Sequence, residues 1–198
     1  MTGPYTDNIL DTYHQATGEE VYNGIHWYNL AQELSTGVSS RLGVPLTTVV
    51  GVIAALSPNN KWERNITNGS DLIEAYLRGD PIESVKVSTY HTMKDKAWSI
   101  MVDALTTDKD ILTRLNGQKI KSFYECIIGH DTCCIDGHAF NIRNGKKVGL
   151  SDNKTNIGKK LYAEVQEDYV KAGSVLGLKA YEVQAVTWVA WRRIHGIT

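Results

Sequence analysis

Apolar residues recur at spacings of three and four along most of the chain, and runs that alternate with a period of two are scarce. Such spacings place apolar side chains on one face of an α-helix, so the sequence predicts an all-α fold. Helices are predicted over residues 7–16, 20–42, 45–56, 60–78, 92–105, 108–115, 118–128, 137–144, 155–176 and 179–194.

Prolines and glycines mark the predicted helix ends. Pro45 suits the first turn of a helix, where its missing donor costs nothing, and Ser57–Pro58 closes the same helix because proline disfavours a helical residue before it. Residues 79–81 (Gly-Asp-Pro) end the fourth helix. Residues 144–149 are interpreted as a loop and 151–155 as a capped helix start. No repeat or Pro/Gly/Ser-rich linker is present, so the sequence predicts a single all-helical domain, residues 1–198.

Composition limits the classes of partner. The 198 residues, 42% hydrophobic and 22% charged, are enough for one self-sufficient core. Lys plus Arg (21) nearly balance Asp plus Glu (22), so the chain lacks the overall basic surplus of many nucleic-acid binders, and a nucleic-acid surface would have to be local. Residues 1–7 lack a signal-peptide pattern, and no apolar run reaches the ~20 residues of a membrane span. We therefore expect a cytoplasmic protein with no membrane partner.

Cysteine and histidine spacing argues against metal chemistry. Cys126, Cys133 and Cys134 are odd in number and two are adjacent, which disfavours a disulfide framework or a zinc site and predicts buried thiols. The six histidines nowhere form a ligand pair such as His-x-x-x-His. The sequence predicts no metal and no cofactor.

The most unusual segment spans residues 115–143. A glycine turn at Gly117 precedes a predicted helix with Lys119 and Lys121 near its start, which would direct backbone amides and a positive dipole toward an anion. Further on, an apolar run (residues 133–135) should be buried, leaving Asp136 at the edge of the core where a helix begins. An aspartate so placed is either a helix N-cap or a catalytic base.

These blocks resemble the helix-hairpin-helix DNA glycosylase superfamily, whose best-known member is endonuclease III. The resemblance rests on Leu115-x-Gly117-x-Lys119, followed by Asp136-Gly-His138-Ala-x-Asn-Ile. In the family a Leu-Pro-Gly-Val-Gly hairpin leads into a helix, and a Val-Asp-Thr-His segment supplies the catalytic aspartate a little under twenty residues later. Here Lys119 and Asp136 are 17 residues apart.

The resemblance extends upstream and covers roughly residues 46–143. Residues 49–65 are similar to the family's apolar helix ending in a Leu-Ser-Ala-Gln-Thr-like turn, where a wedge residue enters the DNA. This chain departs from the family in having one hairpin glycine rather than two, Gly137 in place of threonine, and no C-terminal four-cysteine cluster. It is also similar to small glycosylase-like proteins of bacteriophages, including relatives proposed to hypermodify thymine-derived bases. That similarity rests on 56–58 (Leu-Ser-Pro), Trp62-x-x-Asn65, Asp136-x-His138 and 188–193 (Trp-Val-Ala-Trp-Arg-Arg). The implied fold is a helix-hairpin-helix glycosylase fold without an iron–sulfur cluster.

The resemblance implies roles for four candidate catalytic residues. Asp136 would be ionised, stabilising positive charge on the sugar and orienting a water or another nucleophile. Lys119 or Lys121 would be a phosphate contact or a Schiff-base nucleophile; the alternative for both is solvated charge. His138 would orient a substrate or relay a proton, or it is a hydrogen-bonded structural histidine.

Two further groups are candidates for substrate binding. Residues 56–62 join two helices, and Asn59, Asn60 and Trp62 could supply the wedge and stacking surface that base flipping needs; alternatively they form a capping turn with Trp62 in the core. Gln184, Trp188 and Arg192 form an i, i+4, i+8 stripe that either lines a pocket or docks the last helix. The full predicted set is Ser57, Asn59, Asn60, Trp62, Asn65, Gly117, Asn141, Gln184, Trp188 and Arg192.

The sequence supports two alternative functions. The first is a phage-type DNA glycosylase-like enzyme acting on a nucleobase or modified base in DNA, centred on Asp136. The second is a non-catalytic protein that keeps the fold and binds nucleic acid, a nucleotide or a host factor. The sequence leaves open which base is used, whether the nucleophile is water, lysine or a small amine, and whether the purpose is repair, hypermodification or counter-defence.

Overall fold

A computed structural model describes residues 2–147 and 157–197, and within them every regular element is helical. The described α-helices are α1 (Pro4–His14), α2 (Gly18–Leu42), α3 (Leu46–Ala55), α4 (Trp62–Arg78), α5 (His91–Val102), α6 (Asp108–Arg114), α7 (Gln118–Ile128), α8 (Gly137–Asn144), α9 (Lys159–Leu176) and α10 (Ala180–Ile194). A 3-10 turn, Ile82–Ser84, follows α4. The all-α prediction is confirmed.

Several helix ends differ from the prediction for local reasons. The first helix begins at Pro4 rather than residue 7, because proline stands at its first position. α4 begins at Trp62 rather than Asn60, because the Asn60 side chain donates to the Leu56 carbonyl oxygen at 3.1 Å and so supports a turn instead of a helix. α5 ends at Val102 rather than residue 105, because Ala104 adopts a left-handed conformation (φ 49°).

The ninth helix also begins later than predicted. It starts at Lys159, and residues 157–158 are not helical, with Gly158 extended at the N-cap. The predicted capped start over residues 151–155, and part of the predicted loop over 144–149, lie outside the described residues.

The described chain divides into two compact units. Unit 1 contains residues 1–30 and 129–198, and unit 2 contains residues 31–128. Helix α2 contributes its first half to unit 1 and its second half to unit 2. The single domain stays a prediction.

Unit 2 is built around α3. Every residue of this helix from Thr48 to Ala55 is buried, as expected for a helix that is apolar on all sides. Its Gly51 lets Ile111 of α6 approach closely, since a Cβ there would lie 2.8 Å from Cγ2 of Ile111. At its start, the Thr48 hydroxyl donates to the Leu105 carbonyl oxygen at 2.7 Å. The unit therefore packs around one central apolar helix.

Unit 1 contains an α9–α10 hairpin against which α1 and α8 pack. The hairpin turns at Gly177, a left-handed C-cap (φ 70°) that only glycine adopts without strain. Arg143 of α8 is buried, pairs with Asp168 of α9 at 2.9 Å, and places its guanidinium 3.6 Å from the ring centroid of Tyr5 in α1. The three helices therefore meet at one buried cation.

A second contact ties the start of the chain to its last helix. Arg193 of α10 pairs with Glu20 of α2 at 2.6 Å and also donates to the Gln15 carbonyl oxygen at 2.8 Å. Nearby, a Cβ on Gly24 would lie 2.5–2.7 Å from atoms of Val186, some of them backbone, so α2 and α10 touch main chain to main chain.

No single helix in the described residues has the length and hydropathy of a membrane span. Within the described part of the chain, α2 and α3 taken together, across a bend of 118°, reach that length and composition.

Candidate active site

Asp136 caps the N-terminus of α8. The apolar residues before it, Cys133 to Ile135, are buried, and the chain is extended at Asp136 itself. Its Oδ1 accepts from the Ala139 backbone N–H at 2.8 Å, and its carbonyl oxygen accepts from Phe140 N–H at 3.0 Å. The capping role that the sequence allowed is therefore present.

The same carboxylate makes a second contact that a cap does not require. Its Oδ2 accepts from the indole N–H of Trp188, on α10, at 3.0 Å. Both oxygens are thus held in fixed directions by N–H donors, while the half-buried side chain still has contact with solvent. An ionised carboxylate offers about four acceptor directions, so further donors can still approach Asp136.

His138 completes what we call the Asp136 cluster (Asp136, His138 and Trp188). Its imidazole lies 6.1 Å from the Trp188 ring, centroid to centroid, in an edge-on arrangement. Its Nδ1 is buried and has no hydrogen-bond partner among the described residues. Buried polar atoms nearly always have a hydrogen-bond partner, so this nitrogen is available to bind a polar atom of a ligand.

Three side chains of α9 support the segment that leads into Asp136. Tyr162 accepts from Ile135 N–H at 3.0 Å, and Gln166 donates to the Cys133 carbonyl oxygen at 2.9 Å. Tyr169 donates to the Ala139 carbonyl oxygen at 2.9 Å. None of these three residues was predicted as a site residue from the sequence, although their spacings of four and three place them on one helical face. They fix the backbone on both sides of Asp136.

Two neighbouring groups are poor acids and poor nucleophiles. Burial raises the pKa of the Cys133 thiol and of the Tyr169 hydroxyl well above their ordinary values, and nearby negative charge adds to both shifts. Cys133 therefore stays a thiol and Tyr169 a neutral hydrogen-bond donor near neutral pH. All three cysteines are buried and none forms a disulfide.

The structure brings together two of the three residues in the predicted α10 stripe. The Arg192 guanidinium lies over Trp188, 4.4 Å from the ring centroid. Gln184, one turn earlier on α10, is buried, with 8% of its surface exposed. Asn141 of α8 is also buried, at 2%. These burials favour a core position for Gln184 and Asn141 over an open binding surface.

The predicted hairpin lies in unit 2. Leu115, Asn116 and Gly117 join α6 to α7, with Leu115 buried and Gly117 in a left-handed conformation (φ 86°). Lys119 is exposed and Lys121 is half-buried in the first turn of α7. The predicted hairpin between two helices is therefore present. It belongs to unit 2, whereas Asp136 belongs to unit 1.

The turn before α4, also in unit 2, is fixed by its own polar groups. Asn60 N–H donates to the Ser57 carbonyl oxygen at 3.2 Å, and Asn59 is exposed and left-handed (φ 51°). The Asn60 amide nitrogen also donates to Asn68 Oδ1 at 3.2 Å. Asn59 is thus the residue of this turn that faces solvent most fully.

Two further candidates in α4 are more enclosed. Trp62 is half-buried and meets Phe123 edge-on at 6.1 Å. Asn65 is 1% exposed, and its Oδ1 has no hydrogen-bond partner among the described residues. The position of Asn65 is that of a core residue.

Residues 1–195 match a family of unknown function, DUF7178. The chain belongs to that family. Membership of DUF7178 specifies no reaction. No curated protein and no solved structure matches the chain.

Among the described residues of this DUF7178 protein, no three His, Cys, Asp or Glu side chains are grouped as metal ligands. The chemistry-bearing residues fall into two sets, one per unit. The Asp136 cluster and Arg192 are in unit 1; the hairpin lysines, the 57–60 turn, Trp62 and Asn65 are in unit 2.

Proposed function

We propose that this protein is a DNA glycosylase-like enzyme of the helix-hairpin-helix type, acting on a nucleobase or modified base in DNA. The observation that carries the proposal is the Asp136 carboxylate, held by Ala139 N–H and by the indole of Trp188 beside His138. A helix cap uses one oxygen, whereas a carboxylate that must point at a reacting sugar benefits from having both fixed.

The proposed reaction uses groups of unit 1 only. The bond from sugar C1′ to the base nitrogen breaks, and its electron pair leaves with the base. The negative charge of Asp136 stabilises the positive charge that develops on the sugar. A water oxygen then forms the new bond to C1′, and its proton passes to an Asp136 oxygen or to a nitrogen of His138.

The hairpin and the 57–62 turn take supporting roles in this proposal. Within unit 2, the amide-rich start of α7 with Lys119 and Lys121 would contact DNA backbone phosphate, and Asn59 with Trp62 would offer a polar and aromatic surface to an unpaired base. In the alternative, bifunctional mechanism Lys119 or Lys121 is a Schiff-base nucleophile. Borohydride trapping of a covalent complex would reveal that mechanism.

The test is mass spectrometry of free bases and nucleosides after incubation with ordinary DNA and with DNA carrying phage-type modified bases. We expect base release or alteration by the wild type and none by Asp136→Asn. Asp131→Asn is the matched control, because Asp131 also accepts from the first backbone N–H of a helix in unit 1, that of Ala180 at 2.8 Å, but has no indole partner among the described residues. Equal turnover by Asp136→Asn and the wild type would refute the mechanism.

The competing function is non-catalytic binding of nucleic acid or a nucleotide. The Oδ1–Ala139 contact favours it, since that contact alone explains an aspartate before α8. Its signature is salt-sensitive binding without product from any substrate.

A further inference from the structure

Arg192 differs from the other arginines of unit 1 in having no carboxylate partner among the described residues. Arg143 pairs with Asp168, and Arg193 pairs with Glu20. The described contact of Arg192 is with the Trp188 ring, at 4.4 Å from the centroid. A guanidinium carries five N–H donors, and stacking on an aromatic face leaves their in-plane directions available.

The position of the guanidinium argues against simple compensation of the helix dipole. Arg192 is near the C-terminus of α10, where a cation ordinarily approaches the last carbonyl groups. Its charged group instead lies back over the residue one turn earlier, as expected for a helical side chain that points toward the N-terminus. Lys147, by contrast, does approach that end, with Nζ 3.5 Å from the His195 carbonyl oxygen.

One indole ring therefore connects a cation with the candidate catalytic carboxylate. Arg192 lies over its face, and Asp136 Oδ2 accepts from its N–H edge. A nucleotide carries its glycosidic bond and its phosphate on the same sugar, so a group that contacts the phosphate must lie near the group that acts on the glycosidic bond. A planar guanidinium with free in-plane donors is suited to bidentate contact with phosphate oxygens.

We propose that Arg192, held on Trp188, is a phosphate subsite for the nucleotide whose base is processed at Asp136. This inference rests on the proposed function, because that function places the reacting sugar at Asp136. The shared chemistry is a sugar phosphate, whether within a DNA strand or on a free nucleotide.

The experiment compares binding of the four 2′-deoxynucleosides with binding of their 5′-monophosphates, followed by NMR through the indole N–H signals. The Trp188 signal is assigned by its loss in Trp188→Phe. Loss of a charge-assisted hydrogen bond of this kind weakens binding by roughly ten- to a hundredfold. We expect the wild type to prefer monophosphates by at least tenfold, with a shift of the Trp188 signal, and Arg192→Ala to bind both classes equally.

Arg193→Ala is the matched control, since it removes a neighbouring arginine that is already paired with Glu20. It should keep the full phosphate preference. Arg192→Lys provides a second variant that keeps the charge but not the planar fork, and we expect an intermediate preference. Retained preference in Arg192→Ala, or no preference in the wild type, would overturn the proposal.

A single-stranded oligonucleotide distinguishes the two sources of phosphate. If the subsite serves DNA, Arg192→Ala makes the plot of log binding constant against log salt concentration less steep, by the amount expected for the loss of about one phosphate contact. Arg193→Ala leaves that slope unchanged. If it serves free nucleotides, the slope is unchanged while the mononucleotide effect persists. Binding is measured without turnover, so an absent product would refute the enzyme and leave the phosphate subsite standing.

Discussion

The paired hydrogen bonds of Asp136 predict a specific energetic coupling between Asp136 and Trp188. In Asp136→Asn the amide has one acceptor oxygen in place of two. That oxygen can accept from Ala139 N–H or from the Trp188 indole N–H, so one donor loses its partner. Leaving a partly buried donor unpaired costs about 1–2 kcal/mol.

Removing the indole N–H should remove most of that cost. In a Trp188→Phe background the asparagine oxygen has only Ala139 N–H to satisfy, and asparagine caps helices about as well as aspartate. We therefore expect Asp136→Asn to cost less than about 0.5 kcal/mol there, which gives a coupling energy on the order of 1 kcal/mol between the two positions.

The assay is urea denaturation of the wild type, both single variants and the double variant, followed by far-ultraviolet circular dichroism. Trp191→Phe replaces Trp188→Phe in a parallel cycle as the control, since Trp191 Nε1 has no hydrogen-bond partner among the described residues. That cycle should show no coupling. Equal cost of Asp136→Asn with and without the Trp188 indole would refute the reasoning.

Three further predictions concern the stability of the protein, its dependence on pH, and the reactivity of the cysteine thiols. Gly24→Ala should destabilise the protein by about 1–3 kcal/mol in urea denaturation, because the new Cβ would meet backbone atoms of Val186; Gly37→Ala, in open space on the same helix, should be neutral or stabilising by up to ~1 kcal/mol, and equal effects would contradict the close approach. The hydrogen bond from Arg193 holds the pKa of Glu20 below its ordinary value, so its contribution is present above about pH 4.3 and is lost as the pH falls through the lowered pKa. Melting temperatures between pH 3 and 7 should therefore fall less steeply for Glu20→Gln than for the wild type, and parallel curves would contradict this. Ellman's reagent should modify Cys126, Cys133 and Cys134 slowly in the native protein and rapidly in urea; fast reaction of any thiol in the native state would contradict their burial.

Helices with strong local end signals could be predicted at both ends. α8 is the clearest case, since Asp136 caps its start and Gly145, in a left-handed conformation (φ 68°), closes its end. The start of α4 and the end of α5 could not be placed from such signals. They depend on the Asn60 side chain, which hydrogen-bonds back to the preceding turn, and on a left-handed alanine, Ala104. Alanine carries no sign of that conformation in the sequence.

The candidate site was predictable only in its local part. The aspartate at a helix start and the i, i+4 relation of Trp188 and Arg192 could both be read from spacing. The Asp136–Trp188 contact joins residues 52 positions apart, and no local pattern specifies such a contact. Tyr162, Gln166 and Tyr169 were missed because an aromatic face on a helix is typical of ordinary core packing.

Unit 1 is discontinuous in sequence, and this has a consequence for the order in which the protein forms on the ribosome. The partners of its first helices come from the end of the chain: Asn8 donates to the Arg143 carbonyl oxygen, and Glu20 pairs with Arg193. Unit 2 has all of its residues once position 128 has emerged, whereas residues 1–30 must wait until α10 is synthesised. Domains generally fold as units during synthesis at about 5–20 residues per second. Residues 1–30, including buried Ile9, therefore spend seconds during synthesis without the native partners that α8 and α10 supply.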